Sequence, residues 1–272
     1  AGDLDIRDRY YDNDARKTDA NAFAKLNYAV SEKLDVYGDA QVRRVDYSFL
    51  GFNNDLENIT QQVGYTFFNP KAGVLWRVHE GGRAYASFAV ANREPNRNDL
   101  EETTPQSRPT SERLLDYELG YERRSGRFSA GLNAYYMDYT DQLVLTGELN
   151  DVGAALRTNV AESYRAGLEL MWAWQPLQRL TWRANAAFST NKVRDFREYV
   201  DDWDIGGQRI IDHWTTDLAF SPAVVAGSEL RFRIWSVPDK GDADITFITK
   251  YVGRQFMDNT GSSDRMIDAF LV

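Results

Sequence analysis

Asn92, Arg93, Glu94, Arg97 and Asn98 stand where an alternating strand gives way to a long polar stretch, and Arg93 falls on the polar side of that strand. Guanidinium and amide groups converging in this way bind an anion through charge-assisted hydrogen bonds. Equally, they pair with Asp and Glu of neighbouring strands. Tyr139, Asp141, Arg157 and Asn159 form a second group in a similar position, open to the same two readings. Asp201, Asp202, Asp204 and Asp212 lie in an acidic stretch from about Asp195 to His213, where carboxylate oxygens could take a divalent cation. The spacing is not that of an EF-hand, so a solvated charged loop is the plainer reading. His213-Trp214 in the same stretch suggests a haem-ligand role, which a lone loop histidine supports weakly.

Catalysis has little to stand on. Acyl transfer needs a nucleophile with a positioned base, and of the two histidines His79 adjoins a short turn at the opposite end from His213. Ser163 and Ser189 have no elbow context, and Gly81-Gly82 reads as a hairpin turn, not a phosphate cradle. No resident cofactor or metal is implied, and the chain is not expected to be an enzyme.

The elements that must position these residues are strands. Phe128, Ala130, Leu132, Ala134 and Tyr136 share one face while Arg127, Ser129, Gly131 and Asn133 share the other. This period-two pattern returns about ten times. Ala22 to Val30, Leu34 to Arg43, Lys71 to His79, Arg83 to Arg93, Asp116 to Glu122, Ala166 to Trp174, Leu180 to Ser189, Ser228 to Ile234 and Ala243 to Tyr251 repeat it. Short turns are expected near residues 31, 81, 125, 176 and 239, with Gln175-Pro176 and Pro238-Asp239-Lys240-Gly241 as the last two. Proline suits such a turn because it cannot donate to a ladder. Long connections fall between them, at Gly51 to Asn58, Glu94 to Glu112, through Gly147, Asn150 and Gly153, and at Asp195 to His213. In an antiparallel meander alternate connections emerge at the same end, so all the short turns lie on one side. Bacterial outer-membrane barrels have this polarity. Trp76, Trp172, Trp174, Trp182 and Trp235 all sit near a short turn, so five of the seven tryptophans mark one interface, as an aromatic girdle would.

Composition is compatible with this. The mean hydropathy of −0.55 would suit a soluble protein, and no apolar run reaches the roughly 18 to 20 residues of a spanning helix. Barrel strands escape that test, since about 9 to 11 residues suffice and half face a polar lumen. A net charge of −9 argues against a nucleic-acid partner. Cysteine is absent, which removes disulfides and thiolate sites. The alternatives are a soluble antiparallel sandwich or lipocalin-like sheet acting as a binding module, and a passive porin-like channel.

Arg108-Pro109-Thr110-Ser111-Glu112 followed by Tyr117-Glu118-Leu119-Gly120-Tyr121 resembles a segment of the β-barrel domain of TonB-dependent outer-membrane receptors. Phe68 to Gly73, Tyr85 to Ala89, Asn92 to Pro95, Tyr136 to Val144 and Tyr251 to Asn259 resemble that family as well. The resemblance implies an all-β, up-and-down transmembrane β-barrel of about 22 strands with a plugged lumen. Residues 1–272 would be part of the wall, with the plug domain and the C-terminal strands outside the sequence; the first and last residues read as those of an internal fragment. Its implied partners are outer-membrane lipid, the plug domain, the TonB inner-membrane complex and a small-molecule chelate, most often a ferric siderophore. In that setting Arg93 and its neighbours would meet an anionic chelate or hold the plug.

Overall fold

The computed structural model describes residues 12–52, 58–101, 108–149, 155–202, 204, 206–237 and 241–272. Ten long strands follow one another: β1 (Asp12–Ala29), β2 (Leu34–Phe52), β3 (Gln61–His79), β4 (Gly82–Arg93), β5 (Glu112–Ser125), β6 (Phe128–Leu149), β7 (Ala155–Leu177), β8 (Leu180–Asp202), then β10 (Val224–Val237) and β11 (Gly241–Val252) after a shorter β9 (Gly207–Asp217). A short helix α1 (Arg97–Glu101) follows β4, and β12 (Gln255–Phe256), β13 (Met266–Ile267) and β14 (Phe270–Leu271) come last. The main sheet runs β1-β2-β3-β4-β5-β6-β7-β8-β10-β11-β14 with every pairing antiparallel, and β9 pairs with β8 beside that path. It is an open up-and-down wall.

Side-chain alternation becomes two continuous surfaces once the register is applied. Along one row across the sheet run Tyr28, Val36, Val74, Ala86, Leu119, Ala134 and Leu168, each directly opposite the next. Phe188 opposes Leu168, while Trp182, Leu230 and Phe247 extend the same face through β10 and β11. The members of this face stand open, with Leu119 61%, Phe247 66% and Leu26 69% exposed. A face this wide and this apolar cannot remain in water. Opposite it lie Lys25, Asp39, Lys71, Ser87, Glu118, Asn133 and Glu169.

At one end the connections are minimal, and Gly81 and Gly126 adopt left-handed φ values of 72° and 52°, as tight hairpins require. One expectation shifts: the β7–β8 turn is Gln178-Arg179, two residues beyond Gln175-Pro176. Pro176 instead lies in the bulge between Trp174 and Leu177, where the register breaks and no ladder N–H is needed. Residues 238–240 of the next turn lie outside the described residues.

At the other end the strands outrun the apolar band. The acidic stretch from Asp195 to His213, expected as a loop, is largely a hairpin, with β8 continuing to Asp202 and β9 returning beside it from Gly207. Beyond the band no lipid selects one apolar side, so alternation fades while backbone pairing persists. β6 and β7 likewise extend to Leu149 and from Ala155, taking Gly147 into a strand; Asn150 and Gly153 lie outside the described residues.

Candidate functional site

The β4–β5 connection folds back on the wall at the loop end. Val45, Tyr47, Phe49, Ile59 and Val63 form a buried apolar cluster with Leu100 of α1, and Tyr65 packs against it. Val45, Tyr47 and Phe49 continue the polar face of β2 above Arg43, so that face turns apolar only where its own loop covers it. Burying a leucine contributes roughly 1.5–3 kcal/mol, and Leu100 is fully buried. Gln61 Nε2 donates to the Leu100 carbonyl at 2.9 Å. Asn96 and Asp99 close the helix start reciprocally: each side-chain oxygen accepts the other's backbone N–H at 2.9 Å.

Glu94, which begins this connection, is buried and holds two cations. Lys17 Nζ lies 3.0 Å from it and the Arg43 guanidinium 2.8 Å. Arg43 also bridges to Asp19 at 2.6 Å, and Lys17 lies over the Tyr47 ring. Burial pushes the Glu94 carboxyl upward, yet Arg43, a backbone N–H and Lys17 together outweigh it and hold it below the usual carboxylate range. Asp99 has the opposite balance: burial raises its carboxyl against the opposing pull of the Asn96 backbone N–H and the Arg157 charge.

The two groups of residues singled out in the sequence meet here. Arg93 donates to Glu112 Oε2 at 2.8 Å and to the Leu143 carbonyl at 3.3 Å, and the Leu143 N–H donates to the same Glu112 oxygen at 2.9 Å. Arg157 approaches Asp99 Oδ1 at 3.7 Å. Asn159 accepts the Thr110 N–H at 2.7 Å and donates to the carbonyls of Thr110 and Asp141, the latter at 2.6 Å. Asp141 adopts a left-handed backbone, φ 53°, within β6, where the pairing with β7 keeps its register on either side. Tyr139 is half-buried with its hydroxyl near the Met137 sulfur. Arg97 pairs with Glu101 at 2.8 Å on an exposed helix face beside Asn98. Asn92 lies on the other face of β4. There the β3–β4 register ends at Lys71–Ala89 beside Pro70, and Asn92 donates from its backbone and side chain to Asn69 Oδ1.

Lys17, Arg43, Asp99 and Glu112 were not singled out in the sequence, although they bind the cluster together. Glu112 ties Arg93 to the Leu143 backbone, and Asp99 lies in the field of both Arg93 and Arg157, relationships that no spacing reveals. In β9, His213 Nε2 is 2.9 Å from a Glu198 carboxylate oxygen and its ring faces Phe196. Asp212 pairs with Arg197 at 3.2 Å, and Asp202 accepts the Asp204 N–H; the Asp201 side chain lies outside the described residues. Among the described residues no three His, Asp or Glu side chains converge to hold a metal ion.

Chemically, the loop end offers a rim of guanidinium and amide groups, Arg93, Arg97 and Arg157 foremost, around a loop anchored on the polar face. Among solved structures, the siderophore receptor PiuA from Acinetobacter baumannii superposes with a TM-score of 0.75 at 13% identity, over 96% of this chain and 36% of that chain. The ferric yersiniabactin uptake receptor FyuA from Yersinia pestis gives 0.69 at 15%, over 96% and 38%. The copper transporter OprC gives 0.68 at 15%, over 95% and 39%. Identities this low establish the fold alone, and the chain spans less than half the length of each of these structures. No curated protein matches the sequence. The model of the TonB dependent receptor-like β-barrel family matches residues 1–272. The alternating wall, its one-sided turns and that match over the whole chain have one reading: the chain belongs to the TonB-dependent receptor β-barrel family of the Gram-negative outer membrane.

Proposed function

We propose that this wall belongs to a receptor that takes up a ferric siderophore or similar metal chelate across the outer membrane, driven by the TonB complex of the inner membrane. The observation that carries the reading is the set of guanidinium groups at the loop end, Arg93, Arg97 and Arg157, each held by one carboxylate (Glu112, Glu101 and Asp99) beside a loop anchored to the polar face. An anionic chelate arriving from outside meets that rim first, and guanidinium groups recognise carboxylate and catecholate oxygens by charge-assisted hydrogen bonds. Similarity to receptors whose names include ferric yersiniabactin and a siderophore supports the ligand class. Glu94, Asn92, Asp141 and Asn159 serve in this reading to hold the loop, and Tyr139 to wall the vestibule beneath it. A plug domain packs against Lys25, Asp39, Lys71, Glu118 and Asn133 on the polar face.

The test is uptake of radiolabelled ferric chelates, with cobalamin and haem for comparison, by cells carrying the intact receptor. Uptake abolished when the inner-membrane energy source is removed supports the proposal. Persistence of uptake without it indicates a passive channel and overturns the active mechanism.

A further inference from the structure

The turn end of β5–β8 is positively charged in a chain of net charge −9. Between Glu122 and Asp138 the sequence has Arg123, Arg124 and Arg127 and no carboxylate. Between Glu169 and Asp195 it has Arg179, Arg183, Lys192 and Arg194 and again no carboxylate. The meander gathers part of this charge at one edge, since Arg127 lies in the β5–β6 turn and Arg179 in the β7–β8 turn. Those turns are neighbours: the Gln175 N–H donates to the Arg127 carbonyl at 2.8 Å, and Arg233 N–H donates to the Arg179 carbonyl at 2.8 Å.

Arg123, Arg124, Arg127 and Arg179 are exposed, and among the described residues none of the four forms an ion pair with a carboxylate. Nearby acids are already engaged. Glu122 takes Arg83 at 2.6 Å, Glu229 takes Arg183 at 3.4 Å, and Asp244 takes both Arg231 and Arg233. The same end of β1–β4 is balanced differently, with Glu32 beside Lys33, Asp35 bound to Arg77 and Glu80 in the turn.

Depth decides what these guanidinium groups meet. Phe128 opposes Trp174, Trp174 opposes Trp182, and Ala130 opposes Trp172, all on the lipid-facing side just inside the turns. Indoles of such a girdle sit at the boundary between hydrocarbon and headgroups. Arg123 lies on that same side, opposite Ala130, and the other three lie in or next to the turns. At about 3.3 Å per residue, that is headgroup depth. Short turns face the periplasm in bacterial barrels. We infer that the turn end of β5–β8 is a docking surface for the phosphate headgroup of an anionic phospholipid in the periplasmic leaflet.

Native mass spectrometry of the intact receptor, released from bilayers of phosphatidylcholine with and without phosphatidylglycerol, tests this. The wild type is expected to retain phosphatidylglycerol over phosphatidylcholine, by on the order of fivefold for each arginine that engages the surface. The combined variant R123Q/R124Q/R127Q/R179Q should retain both lipids equally while keeping the heat-modifiable gel mobility of a folded barrel. If that variant does not fold, the single variants R123Q and R179Q carry the test, each lowering the preference. Equal retention of the two lipids by the wild type overturns the inference, as does an unchanged preference in folded variants. Displacement of the lipid by inorganic phosphate alone would mean a free-anion site and also overturns it.

Discussion

The ring of Tyr85 in β4 lies across Gly120, its directly opposed partner in β5, so closely that a Cβ at Gly120 would stand 2.2 Å from the ring. Tyr37 covers Gly73 and Tyr135 covers Gly167 in the same way on the polar face. A flat ring over a glycine shields the cross-strand backbone and pins the register. Tyr85 is also held from beyond, its hydroxyl donating to Asn133 Oδ1 at 3.1 Å.

Gly120→Ala should therefore push Tyr85 off its seat and break its bond to Asn133, costing roughly 1–3 kcal/mol. Gly38 is the internal control, because nothing lies within 4 Å of a Cβ built there. Urea unfolding of the intact receptor should show a lowered midpoint for G120A and almost none for G38A. Equal midpoints would remove the steric account.

Glu94→Gln should loosen the β4–β5 connection, since Arg43 and Lys17 lose the charge between them. The loss is about 1–3 kcal/mol for a half-buried cluster, reduced by the exposure of Lys17. The pH dependence follows from the depressed Glu94 carboxyl. Its contribution is fully present above the unfolded carboxylate value of about 4.3 and is lost as pH falls through the lower folded value. Hydrogen exchange at the Leu100 amide should rise on acidification in the wild type, and be fast and nearly pH-insensitive, beyond intrinsic exchange, in E94Q. A protected Leu100 amide in E94Q would contradict this.

The tryptophans divide by environment. Trp172, Trp174 and Trp182 form one lipid-facing patch, with Trp172 and Trp182 meeting edge to face at 5.1 Å, whereas Trp214 in the outer hairpin is 87% exposed. Single-tryptophan versions of the reconstituted receptor should show the first three quenched by brominated lipid, and Trp214 by aqueous iodide. Lipid quenching of Trp214 equal to that of Trp174 would place the outer hairpin in the bilayer instead.

Arg93→Ala and Arg157→Ala should each weaken binding of a ferric chelate to the intact receptor by about tenfold, or 1.4 kcal/mol, mainly through faster dissociation. Titration calorimetry measures it. Because Arg93 also ties Glu112 and Leu143 together, Arg93→Lys separates the roles: restored stability without restored affinity assigns Arg93 to the ligand. Unchanged affinity in both alanine variants would take the rim out of the binding site.

Legibility in the sequence followed the apolar band. The strand from Phe128 to Tyr136 could be read because lipid on one side and a polar lumen on the other impose opposite demands on successive residues. Above the band that contrast ends, so the β8–β9 hairpin was expected as an acidic loop although its backbone pairs from Lys192 to Asp202. His213, expected in a loop, is in a strand beside Glu198. Pro176 was taken as the turn itself, whereas a bulge accommodates it two residues before Gln178-Arg179.

The candidate site divides along the same line. Arg93, Glu94, Arg157 and Asn159 were legible as chemistry at the mouths of strands, because side-chain type and strand parity are local properties. That Glu112 links Arg93 to Leu143, and Asp99 links α1 to Arg157, depends on register and on a loop folding back over β2 and β3. The sequence by itself determined a wall of alternating strands, the end at which its turns lie and the family it resembles, since period two and turn chemistry act between near neighbours. Tertiary structure alone decided which cations share Glu94 and Asp99, because those pairs join residues more than 50 apart in the chain: Arg43 and Lys17 with Glu94, and Arg157 with Asp99. Only hydrogen-bond register across several strands, with the burial of Leu100, brings them within reach.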